Sequence, residues 1–286
     1  MKNNAWGPNP WQQTSWDWRA AGNFIGGGMG TGLLLATALL AGSGATFWLV
    51  FVGLALVGVG LTCVWLEIGR PLRALHVFFN PRTSWMSREA WVAALLFPSG
   101  LLALLGLGGW LWVTGALALA FLYCQSRMLA ATRGIPAWRT PWVSALFLVT
   151  AACEGCGVFL MLCLLLQRSG GLAPLLLATL LVLRVAVWTR YRRAVKSSLA
   201  ARAAQALDAA GQFLWLGGTL VPLLLLLASG LSLSGGTAAT ALAASAGLCA
   251  AFAGAHVKYT LVTRASFNQG FALLKMPVRG VSSTPR

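Results

Sequence analysis

Ionisable groups inside apolar runs are costly and mark function, and this sequence has few of them. Of its five acidic residues, Glu67 and Glu154 lack an evident structural use. Glu67 closes an apolar run in Trp65-Leu66-Glu67-Ile68-Gly69-Arg70-Pro71. Asn23 stands one turn past Arg19, and Tyr123 one turn before Arg127. At 1.5 Å per residue, all three fall within roughly 5–8 Å of one interface. They can converge on one pocket, or serve separately at an interface where Tyr is common and Glu67 pairs with Arg70. Glu154 lies deeper, roughly 20 Å from that level. With Arg184 it forms either a buried structural pair or a step in a proton route.

The other acids have simpler readings. Asp17 and Asp208 stand at helix starts. Ser87 is placed to cap a helix, with Glu89 complementing its positive end. Cys153-Glu154-Gly155-Cys156 has CxxC spacing without a second pair or a nearby His, so no metal is expected in this chain. The six cysteines read as small apolar residues on helices. His76 and His256 are the only imidazoles, and His76 lies outside the apolar runs. Gly26/Gly30 and Gly28/Gly32 are GxxxG pairs, suited to close helix packing.

The composition sets the elements that must position these groups. The chain has 286 residues, with 21 basic and 5 acidic, a net charge of +16 and only 9% charged residues. Such a composition cannot cover a water-facing surface, and it is too apolar for disorder. A nucleic-acid site would need a basic patch on a soluble fold. Here the basic residues separate long apolar runs, so the fold class is an all-α, polytopic membrane protein.

Eight runs qualify as spans: 21–41, 46–66, 90–106, 110–128, 142–166, 172–189, 212–231 and 238–262. They form one integral membrane domain (1–286), divided into a first four-helix bundle at 19–131 and a second at 141–263. The connections 67–89 and 190–208 read as amphipathic interfacial segments. With eight spans, nearly all basic residues fall on one side, from Lys2 and Arg19 to Lys258, Arg264, Lys275, Arg279 and Arg286. By the positive-inside rule that side is cytoplasmic, with both termini there, in the cell's inner (cytoplasmic) membrane. The first apolar run lacks a basic n-region and an A-x-A site, so no cleaved leader is expected. Trp6, Trp11, Trp16 and Trp18 crowd the arm before it, as an aromatic belt or a docking surface.

Two blocks carry a resemblance. Leu66-Glu67-Ile68-Gly69-Arg70-Pro71-Leu72-Arg73-Ala74 is followed by Asn80-Pro81-Arg82-Thr83-Ser84-Trp85-Met86-Ser87-Arg88-Glu89. Together with Arg133-Gly134-Ile135-Pro136-Ala137-Trp138, this resembles the membrane-anchor subunits of molybdopterin oxidoreductases. Those are the dimethyl-sulfoxide-reductase anchors and the polysulfide-reductase membrane subunits. The resemblance covers the whole eight-span layout. It implies exchange of electrons between an exchangeable menaquinone or ubiquinone and an iron–sulfur partner that wires a molybdenum or tungsten catalytic subunit. It places the quinone pocket in the first four helices, at the level of Asn23, Glu67 and Tyr123. Glu67 then relays protons, Asn23 and Tyr123 bind the quinone oxygens, and Arg70 and Arg73 stabilise its anionic form. Trp16, Trp18, His76, Arg82, Trp85 and Arg88 form the docking surface. One departure stands out: the dimethyl-sulfoxide-reductase anchors carry a His where Leu66-Glu67 lies here. A cytoplasmic catalytic subunit suits a substrate such as an aryl-acyl-CoA. The rival readings are a small-molecule transporter, with kinks at Pro98 and Pro222, and an anchor holding haem b between His76 and His256.

Overall fold

The computed structural model describes residues 10–40, 46–68, 71–107, 109–231 and 236–270. Arg70 lies outside them, as do Lys2, Trp6, Lys275, Arg279 and Arg286. The described residues are helical: α1 (Trp18–Leu40), α2 (Thr46–Glu67), α3 (Trp85–Leu104), α4 (Gly109–Ala131), α5 (Pro141–Leu165), α6 (Ala173–Val195), α7 (Ala201–Trp215), α8 (Val221–Leu231) and α9 (Thr237–Tyr259). A π-helical turn, Leu216–Leu220, fuses α7 and α8, and another, Thr260–Arg264, extends α9. A 3-10 helix, Pro71–Phe79, follows α2 and exposes Leu75 and Phe79, as an interfacial segment does. The second segment expected at the interface, 190–208, is mostly helical: α6 runs on to Val195 and α7 starts at Ala201.

Among the described residues, seven helices are long and apolar enough to cross a membrane, where eight spans were expected. The odd one is α3, whose 20 residues include Arg88, Glu89 and Pro98. It nevertheless lies antiparallel along α4. Trp85 at its start meets Tyr123 and Arg127, and Ser99 accepts from Thr114 at 3.2 Å near the other end.

Local chemistry fixes the helix starts. Thr140 caps α5, its Oγ1 accepting from Trp142 N, with Pro141 in the first turn where a missing N–H costs nothing. Ser84, not Ser87, caps α3, and its Oγ accepts from Ser87 N. The helix therefore begins earlier than the apolar run suggests, and Glu89 is carried past the capping turn.

The centre of the bundle is α1, and its glycines divide among its neighbours. A Cβ on Gly30 would sit 2.5 Å from Gly53 O of α2, and one on Gly32 would sit 2.0 Å from Ala151 O of α5. A Cβ on Gly27 would sit 2.3 Å from Gln125 Nε2 of α4. Backbone contact this close is how small residues let membrane helices pack, where lipid supplies no hydrophobic drive. The α1–α5 seam joins the first four helices to the rest.

At the basic end, Trp16 stacks on Trp138 at 5.1 Å, and Trp138 Nε1 donates to Leu261 O at 2.9 Å. The N-terminal arm pairs there with the chain after α9. Gln13 N donates to Ser266 O, and Asn268 N donates to Trp11 O. The segments flanking the bundle thus lie together at one end.

Candidate functional site

A cavity of about 130 Å³ opens near that end, between the first turns of α1 and the last turns of α2 and α4. Its polar lining is Asn23 and Glu67, and its apolar walls include Trp16, Phe24, Met86 and Met128. Asn23 and Glu67, expected to converge, therefore share one cavity. Helix phase explains it: Ala20, Asn23 and Phe24 fall on one α1 face at i, i+3 and i+4, while Val64 and Glu67 turn the end of α2 toward them.

The cavity mouth is braced. Arg19 pairs with Asp17 at 2.9 Å and donates to Leu66 O at 3.0 Å, closing the free carbonyl end of α2. Asp17 lies outside the spans, and hydrogen bonds from Arg19 hold its carboxyl below the ordinary value.

Tyr123 is not brought to the cavity. Its ring is 47% exposed and stands edge-on to Trp85 at 5.7 Å. Two residues on is a turn of about 200° in a helix, so Gln125 faces α1 where Tyr123 faces out. Gln125 is fully buried, and its Nε2 donates to Asn23 O at 3.0 Å.

Behind Asn23 lies a carboxyl first read as a helix-end charge. Glu89 is 4% exposed, and the side-chain amides of Gln125 and Asn23 approach it. Among the described residues, Glu89 Oε1, Asn23 Oδ1 and Gln125 Oε1 are buried without a hydrogen-bond partner. Three unpaired buried acceptors in one place are costly and leave room for donors. A sequence signal for Glu89 existed. It stands in phase with Ala93, Leu96, Gly100 and Ala103, all buried on α3.

The expected docking residues divide. Trp18 (59% exposed), His76 and Arg82 face outward. Trp16 instead packs against Trp138 and Phe24. Trp85 lies under the guanidiniums of Arg88, at 4.1 Å, and Arg127. Arg88 also donates to Pro81 O and Arg82 O, pinning the loop before α3. Arg73 is exposed, and its carbonyl meets His76 Nδ1. His256 packs edge-on to Phe213 of α7, so the two imidazoles have separate surroundings.

A second polar centre lies between α1, α5 and α9. Glu154 pairs with Lys258 at 2.5 Å, not with Arg184. Lys258 is 1% exposed and also donates to Phe24 O at 3.1 Å. It therefore belongs to the interior and not to the basic surface the topology count gave it. Arg184 donates to Ala250 O at 2.9 Å and to Gly218 O. The second contact follows from Pro222, which has no N–H to offer the carbonyl four residues back. The π-helical turn presents that carbonyl, and the guanidinium takes it.

The cysteines of the CxxC are buried among apolar side chains, with Cys156 Sγ donating to Ala173 O. Among the described residues, no group of three or more His, Cys, Asp or Glu gathers as a metal site.

The family model described as the DMSO reductase anchor subunit (DmsC) matches residues 20–253, which takes in Asn23, Glu67, Glu89 and Glu154. No curated protein matches the chain. The chain belongs to the family of DMSO reductase anchor subunits, multi-pass membrane anchors of molybdopterin oxidoreductase complexes.

Proposed function

We propose that this anchor exchanges electrons between the membrane quinone pool and an iron–sulfur subunit, and that the quinone head binds in the cavity holding Asn23 and Glu67. The cavity that Asn23 and Glu67 line together carries this reading. A side-chain amide and a carboxyl at one level supply hydrogen-bonding groups suited to the oxygens of a quinol. Ligand pockets for drug-sized molecules run to about 300–1,000 Å³. This one takes a single ring between Trp16, Phe24 and the two methionines, with the tail left in lipid.

A bound quinol supplies two electrons and two protons. Glu67, partly exposed at the end of α2, accepts the two protons in turn and passes each to interfacial water. Asn23 orients the ring oxygen and links the cavity to Glu89. Glu89, 4% exposed, adds a second carboxyl beyond Asn23, away from water. The apolar walls exclude water from the reacting oxygens.

We read α3 as the eighth crossing, because it runs beside α4 from the basic end to the far end. The basic end then faces the cytoplasm by the positive-inside rule, with both segments flanking the bundle there. Trp18, His76 and Arg82 offer the exposed surface on which the iron–sulfur subunit docks. Its molybdopterin partner then works on a cytoplasmic substrate, for which an aryl-acyl-CoA has suitable chemistry.

The test is quinol oxidation by the assembled complex, set against dye-linked turnover of the catalytic subunit. Asn23→Ala, Glu67→Gln and Glu89→Gln should each lower the quinol reaction by about 10²-fold and spare the dye-linked one. Tyr123→Phe should change neither. Full quinol coupling in Glu67→Gln and Asn23→Ala together would remove the site from this cavity.

A further inference from the structure

A wide groove of about 840 Å³ runs between the last turns of α6 and the body of α7. It belongs to neither polar centre. The backbones of these two helices stand apart and meet through side chains, while each also packs on α9 and the π-helical turn. The floor is Trp188, buried, with Gly211 against it: a Cβ at Gly211 would sit 3.0 Å from Trp188 Cζ2.

The groove is amphipathic along its length. At the basic end stand Arg192, Arg193 and Asp208. At the other stand Trp215 and Leu216, exposed on the flank of the bundle. From residue 208 to 216 the helix rises about 12 Å, the distance from a headgroup region into the acyl region. Thr189 and Gln212 line the middle.

The charged end is unbalanced. Arg192 Nη2 donates to Asp208 Oδ1 at 2.5 Å, while its Nη1 is buried with no hydrogen-bond partner. The two guanidiniums exceed the single carboxylate by one charge. Asp208, expected at a helix start, thus stands well inside α7 and serves to orient Arg192.

We infer that this groove is a binding site for one anionic phospholipid. Its phosphodiester takes the free edge of Arg192 and the Arg193 guanidinium, and an acyl chain lies along Trp215 and Leu216. A phosphate supplies the acceptor that Arg192 Nη1 lacks, and planar guanidinium binds it through paired donors. A neutral headgroup leaves the extra charge uncompensated. Basic pockets between spans at the cytoplasmic end suit such lipids.

The test is native mass spectrometry of the assembled complex, purified in detergent and titrated with phosphatidylglycerol or phosphatidylcholine. Wild type should retain one phosphatidylglycerol in preference to phosphatidylcholine. Arg193→Gln, which leaves the Arg192–Asp208 pair intact, should weaken retention about fivefold, the worth of one basic residue at a lipid surface. Arg192→Gln/Arg193→Gln should abolish the preference, and Arg202→Gln, outside the groove, should keep it. Inorganic phosphate should not displace the lipid, because it lacks the chain. A photo-crosslinker at Gln212 should label lipid. Equal retention of both lipids by wild type, unchanged retention in the double variant, or crosslinking to a protein subunit instead would overturn the assignment.

Discussion

Removing Lys258 should destabilise this protein more than removing any of its surface cations. Its ammonium is 1% exposed, lies 2.5 Å from Glu154 Oε2 and also donates to Phe24 O. In Lys258→Met the Glu154 carboxyl remains fully buried, and its Oε1 has no partner even now. Taking one member from a buried ion pair costs about 3–5 kcal/mol, because the other is left uncompensated. At roughly 2–4 °C per kcal/mol, the expected fall in melting temperature is about 10 °C. Glu154→Gln should also lower it, because the buried ammonium is then left with neutral acceptors and the Phe147 ring, 5.9 Å away, and no counter-charge. The double variant Glu154→Gln/Lys258→Met removes both charges and should recover most of the loss. Thermal unfolding of the purified complex reads all three, and the double-mutant cycle isolates the pair. A fall of under about 2 °C for Lys258→Met, or a double variant as poor as the two singles summed, would refute the buried pair. Arg202→Gln, on the surface, gives the scale of an ordinary change.

Other expectations follow from single contacts. Gly32→Ala would place a Cβ 2.0 Å from Ala151 O and should cut the yield of assembled complex severely. Gly58→Ala, whose Cβ would meet Phe97 only at 3.8 Å, should leave it unchanged or improved. Arg184→Met strips the donor from Gly218 O, costing about 1–3 kcal/mol for a buried carbonyl left unpaired, whereas Ala250 O keeps its partner within α9. Adding Pro222→Ala returns an N–H to Gly218 O, so thermal unfolding should show partial recovery. Hydrogen bonds from Arg19 hold the Asp17 carboxyl below its ordinary value. That contribution is therefore complete above the unfolded value and fades as pH falls through the folded one. Proteolysis of the N-terminal arm should accelerate only below about pH 4 in wild type, and Asp17→Asn should be insensitive to pH in that range.

Much of the fold was legible because membrane helices are written in composition. Runs of about 20 apolar residues and arginines between them locate helices and their common end without reference to packing. The depth of a residue follows from counting, so Asn23 and Glu67 could be placed at one level. The boundary errors have local causes. The α3 start was set by Ser84, ahead of the apolar run, and α6 outruns the expected span 172–189 to end at Val195.

What the sequence determined by itself was therefore the helical class, the levels of the polar residues along the bundle axis, and the family resemblance. Tertiary structure alone decided which way each helix turns. Depth is additive along a chain at 1.5 Å per residue, but azimuth depends on which neighbour a helix packs against. Rotation put Gln125 inward and Tyr123 outward, and brought Glu89 behind Asn23. The same geometry gave Glu154 to Lys258, 104 residues away, while a proline one helix over gave Arg184 a carbonyl to hold.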